Sequence, residues 1–140
     1  MSAKQIRLDE EPTLGDFIKH IAARVTEDSK FFPYDNEMPW HRMLLSLKKE
    51  YGSELDFLYT AKFELDEAPY PTCRKLSDFL QTLHWSGALS VKNPSYLEAA
   101  VIPELVNKWG AEVDSQKEIY KEAIERGVKK LKDLISKESK

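Results

Sequence analysis

Apolar positions along this chain recur first at helical spacing. Leu14, Phe17, Ile18, Ile21, Ala22 and Val25 make one stripe and predict a helix from about Thr13 to Thr26, with Lys19, His20, Arg24 and Glu27 on its other faces. Thr13 and Asp16 carry the spacing of a capping box. Residues 30–39, with two prolines and Asp35-Asn36, predict a loop. Trp40, Met43, Leu44, Leu47 and Tyr51 predict a second helix over Pro39–Tyr51, with Gly52 closing it in a left-handed conformation. The period then changes to two. Leu55, Phe57, Tyr59, Ala61, Phe63 and Leu65 alternate with mostly polar residues, broken only by Leu58, and predict a half-buried strand over Leu55–Leu65.

After a turn at 68–72, Leu76, Phe79, Leu80 and Leu83 predict a third helix over Thr72–Ser86, capped by Thr72 and stopped by Gly87, with Cys73 at its apolar margin. A strand over Ala88–Val91, a hairpin loop at Lys92–Ser95 and a returning strand over Tyr96–Ile102 follow. Pro103 begins a short helix with Leu105, Val106 and Trp109, ended by Gly110; a long helix runs from about Ser115 to Ser136 within the C-terminal segment 115–138. Residues 1–11 read as a frayed terminus. The class implied is mainly helical α+β with a small antiparallel sheet and additional N- and C-terminal helices.

The length of 140 residues fits one domain with a core of its own, 1–140. The net charge of −3 gives no global pull toward nucleic acid or anionic membrane. Residues from Ser115 onward hold eight basic and five acidic side chains, a local +3, in the interleaved order of a solvated helix face. A single cysteine and the absence of an apolar N-terminal core imply a cytoplasmic chain with no intrachain disulfide.

The segment Leu76–Leu89, LSDFLQTLHWSGAL, resembles the L-x-x-x-L-x-x-L-x-x-x-G-x-L pattern of winged-helix domains. In that resemblance residues 38–102 form the core, Lys92–Ser95 the wing tip, and the second of the usual three helices is hard to locate. YPTCRKL, Tyr70–Leu76, is also similar to the Panacea-type domain of antitoxin-like proteins, although Ala68-Pro69-Tyr70-Pro71 stands where that family often has Gly-Pro-Tyr-Ser.

Two binding surfaces follow. The winged-helix resemblance makes the third helix a DNA reader, with Arg74 and Gln81 facing bases and Lys75, Thr82 and the wing residue Lys92 near phosphates. Asp78 in the middle of that face and the small number of cations oppose this reading. The other reading is a protein interface built on Phe31, Phe32, Tyr34, Trp40 and Trp85, although loop aromatics also serve to cover the end of a core. Ile124, Val128, Leu131 and Ile135 offer a seam for a homodimer, with packing on the same domain as the simpler use.

Catalysis has little basis. His20, His41 and His84 fall on separate helices without metal-ligand spacing, and pairing Cys73 with His84 or His41 as nucleophile and base would need the fold to join them. Asp56, Glu64 and Asp66 share one face of the expected strand, which reads as solvated. The sequence asks for no cofactor or metal. It implies a non-enzymatic regulatory or protein-interaction module, with DNA binding as the alternative.

Overall fold

A computed structural model describes residues 12–34, 36–65, 70–91 and 98–138. Among them are the helices α1 (Leu14–Ser29), α2 (Met38–Tyr51), α3 (Asp56–Tyr59), α4 (Arg74–Trp85), α5 (Pro103–Asp114) and α6 (Glu118–Glu138). The strands are β1 (Phe32–Pro33), β2 (Leu89–Val91) and β3 (Glu98–Val101), in an antiparallel sheet of order β1-β3-β2. Phe32 lies opposite Ala99, and Leu89 opposite Val101. The fold is mainly helical α+β. The expected frayed terminus 1–11, the expected hairpin tip Lys92–Ser95 and Asp66 lie outside the described residues.

α1 starts as its sequence requires. The Thr13 hydroxyl accepts from the Asp16 N–H at 3.1 Å, and the Asp16 carboxylate accepts from the Thr13 N–H at 3.0 Å. Such a cap is worth about 1 kcal/mol. The helix then becomes the centre of the molecule, with α4, α5, α6, β1 and β3 all packed on it. Phe17, Ile18, Ile21, Ala22 and Val25 are fully buried, and so are Ala23 and His20 on what the stripe marked as outer faces. At its end the Thr26 hydroxyl accepts the Val101 N–H at 3.0 Å, tying α1 to β3.

His20 is satisfied at both nitrogens. A carboxylate only accepts, so Nε2–H donates to Glu112 of α5 at 2.9 Å; Nδ1 then accepts from the Tyr120 hydroxyl of α6 at 2.6 Å. Burial pushes the Tyr120 hydroxyl well above the usual tyrosine range, so it remains a donor.

The same demand for close packing explains Gly127. A Cβ there would sit 2.8 Å from Ile21 Cδ1 and 2.9 Å from Leu47 Cδ1, so its bare backbone lets α6 approach α1 and α2 together. Ile124, Val128 and Leu131 are buried in this contact and Ile135 is half-buried against the same core. The face expected as a dimer seam is thus occupied by the chain's own helices.

The strand expected over Leu55–Leu65 is not formed. Asp56–Tyr59 makes a helical turn instead, because Leu58 is fully buried while Tyr59 is 68% exposed, the reverse of what alternation requires. Lys48 of α2 holds the end of that turn by donating to the carbonyls of Leu58 (3.2 Å) and Tyr59 (2.6 Å). Only Glu64 keeps a β contact, a single antiparallel bridge to Thr72. Asp56 and Glu64 therefore share no strand face. Thr72, engaged in that bridge, is not the cap of α4; Cys73 occupies the cap position and is buried rather than marginal. Gly52 is right-handed, with φ −59°. Gly110 does not end α5, which continues until Trp109 and Val113 are both buried.

The two helical glycines give opposite expectations in urea denaturation. Gly127→Leu overfills a closed contact and lowers stability by about 1–3 kcal/mol. Gly110→Ala meets only Arg24 Nη1, 3.7 Å from the added carbon, and raises stability by about 0.5–1 kcal/mol through helix propensity. Shifts of the same sign for both would contradict this packing.

Candidate functional site: the outer face of α4

α4 separates its residues cleanly. Leu76, Leu80 and Leu83 are buried, and Phe79 packs so closely on α1 that a Cβ at Gly15 would lie 2.7 Å from its ring. Arg74, Lys75, Asp78, Gln81, Thr82 and Trp85 are all exposed on the other side. The helix stops at Gly87, which has φ +86°; the Gly87 N–H bonds to the His84 carbonyl and the Ala88 N–H to that of Leu83. This is the Schellman stop that a glycine permits.

The first turn of α4 is cationic. Arg74 and Lys75 sit at the helix end where the backbone dipole favours anions, and no acidic residue occupies that turn. These charges work against the helix that carries them. Lys62 joins them beside a cleft of about 430 Å³ that also meets Glu64 and Asp78. The Thr82 hydroxyl donates to the Asp78 carbonyl at 2.9 Å, so its proton is used within the helix. Lys92 lies outside the described residues.

The aromatic set divides. Phe32 and Trp40 are core plugs, 2% and 0% exposed, with rings edge-on at 5.4 Å; as interface residues they are corrected, because β1 pairs with β3 and carries Phe32 inward. Phe31 is at the surface, and Tyr34 is half-buried. Trp85 is 82% exposed. Its ring stacks on His84 at 5.7 Å and 26°, and His84 Nδ1 shares a 2.7 Å hydrogen bond with the Tyr34 hydroxyl. Burial, and then the nearby Glu37 charge, push the Tyr34 hydroxyl above the usual tyrosine range. The exposed indole therefore stands on a supported ring.

The other end of α4 is joined to α2 by groups that look catalytic and are wired otherwise. His41 is 1% exposed, and its Nδ1 accepts the Cys73 backbone N–H at 3.0 Å. The ring proton is therefore on Nε2, which faces Glu37 Oε1 and Ser77 Oγ, both at 3.2 Å. The Ser77 hydroxyl donates to Glu37 at 2.6 Å. In a nucleophile–base–acid relay the carboxylate holds the nitrogen opposite the serine. Here both lie on the protonated nitrogen, so His41 has no lone pair to offer Ser77. Cys73 meets His41 through its backbone, not its thiol. Among the described residues no group of histidine, cysteine and carboxylate side chains is arranged to hold a metal ion, and no helix is long and apolar enough to cross a membrane.

Compared with protein-family models, curated proteins and solved structures, the chain finds no match.

The buried network at His20 makes a pH prediction. Burial is the main cause that holds its pKa below the ordinary 6.5. As pH falls through about 6.5 the unfolded chain binds a proton that the folded chain refuses, so stability is complete above that value and declines below it. Glu37, held below the ordinary carboxylate range chiefly by its hydrogen bond with His41, adds a second loss further into acid, as pH falls through its lowered value. Thermal melts against pH should show both phases, and His20→Gln should flatten the upper one. An unchanged upper phase in that variant would refute the assignment.

Proposed function

We propose that this chain is a non-catalytic regulatory module that offers the outer face of α4 to a protein partner and anchors it on Trp85. The observation that carries this reading is an indole 82% exposed and yet held in place by the His84–Tyr34 pair. Large aromatics gain most by burial, and a ring already ordered loses less entropy when a partner covers it. Such residues recur as the anchors of interfaces, where truncation costs about 2 kcal/mol or more. The partner is a second copy of the chain or another protein.

Trp40 and Trp109 are buried, so Trp85 dominates the quenchable fluorescence of the protein. Light scattering against concentration, together with acrylamide quenching, tests the reading. Trp85→Ala is expected to keep its stability within about 0.5 kcal/mol while self-association or capture of a cross-linked partner falls at least tenfold. A monomeric wild type whose partner capture is the same in the variant would remove this function.

DNA binding stays as the second reading because a specific arrangement favours it. With α1 taken as the first helix, the order α1-β1-α2-α3-α4-β2-β3 and the sheet order β1-β3-β2 resemble a winged helix in which α4 is the reader. Its first-turn cations and Gln81 are exposed, and an antitoxin-like regulator of that type would use them. Duplex titrations across salt separate the readings. A steep salt slope that falls by about one in Arg74→Ala supports DNA, and a flat response at low salt rejects it.

A further inference from the structure

The start of α4 has no side-chain cap of its own; its cap residue, Cys73, gives its N–H to a ring nitrogen on α2. A neutral imidazole accepts at one nitrogen only, and His41 spends that capacity on this bond. Protonation would place a second donor, Nδ1–H, against the Cys73 N–H at a separation of 3.0 Å. Two donors cannot share that space, and a backbone N–H cannot turn away without moving the chain. On the opposite side of the ring, Glu37 would compensate the new charge, since its carboxylate already accepts from Nε2–H and from Ser77.

We propose that His41 is a proton-operated latch: neutral, it fixes the first turn of α4 to α2; protonated, it stays paired with Glu37 and lets go of Cys73. The backbone released at Cys73 leads into Arg74 and Lys75, so acidification would loosen the cationic end of α4 while the Ser77–Glu37 bond and the buried Leu76, Leu80 and Leu83 keep the rest of the helix in place. The groups that face the ring are Glu37 from the cap position before α2, Cys73 and Ser77 from the start of α4, and the Tyr70 ring at 5.9 Å from the segment before it. Tyr34, coupled to Glu37 and bonded to His84, lies beyond them and stays protonated. Glu37 is held below the ordinary carboxylate range, so it remains charged where a histidine titrates. The latch does not depend on what α4 binds.

The test is an NMR titration of the labelled full chain, following each histidine ring and the exchange protection of backbone amides corrected for intrinsic rate. The neutral His41 ring should report a proton on Nε2. From about pH 7.5 to about pH 5, Cys73 protection should fall at least about tenfold with the midpoint of the His41 ring, while Leu80 and Leu83 change by less than about twofold. In Glu37→Gln, which removes the compensating charge, both midpoints should move together to lower pH. His41→Gln, whose side-chain carbonyl accepts without titrating, should make Cys73 protection independent of pH. The latch is overturned if His41 titrates while Cys73 stays protected, if the ring stays neutral down to about pH 5, or if the loss follows His20 or His84 instead.

Discussion

The enclosure of α1 is the constraint on which the rest of the structure depends. A helix at the surface needs one apolar face; a helix with neighbours on nearly every side must also satisfy any polar group it carries inward. His20 is that group, and both of its nitrogens are used by helices that arrive about a hundred residues later, through Glu112 and Tyr120. The two C-terminal helices are thereby set against α1 by directional bonds as well as by apolar contact. Gly15 admits Phe79 of α4, Thr26 receives β3, and Gly127 of α6 closes the remaining approach. α4 inherits its place from this arrangement, and its outer face carries none of the packing.

What could be read along the chain follows from how local its cause is. The helices α1, α2, α4 and α6 were visible because their leucines and aromatics repeat at helical spacing. The Thr13–Asp16 cap and the Gly87 stop were visible because their partners lie within a turn or two. The outer face of α4 was legible for the same reason. Leu55–Leu65 misled because its alternation has no strand beside it; Lys48, on α2, holds the chain in a turn there. β1 is two residues long and has no period to read, only the edge of β3 to pair with. The support of Trp85 comes from Tyr34, fifty residues away, and the partners of His20 and His41 are equally non-local. A lone histidine beside Phe17 and Ile18, or beside Trp40, is the one local sign that such a partner exists.

The outer face of α4 is set apart by what it costs. Arg74 and Lys75 oppose the helix dipole, and Trp85 leaves most of a large ring in water, whereas Phe32 and Trp40 show that the same chain buries aromatics readily where a core requires them. None of these three residues improves the fold by its position. These three costs along a single helix face are the physical basis of the contact surface proposed for α4.

His20 and His41 share one wiring and differ in a single respect. Each gives Nε2–H to a carboxylate and accepts at Nδ1 from another element. At His20 the donor is a hydroxyl, which can rotate and accept once the ring is charged; what opposes protonation there is burial, felt by the whole fold. At His41 the donor is a backbone N–H, which can only be a donor. The charge would be met by Glu37, so the conflict at Nδ1 has to be relieved locally, by movement at Cys73. The same ring therefore acts as a determinant of global stability in one helix and as a control on the start of α4 in the other.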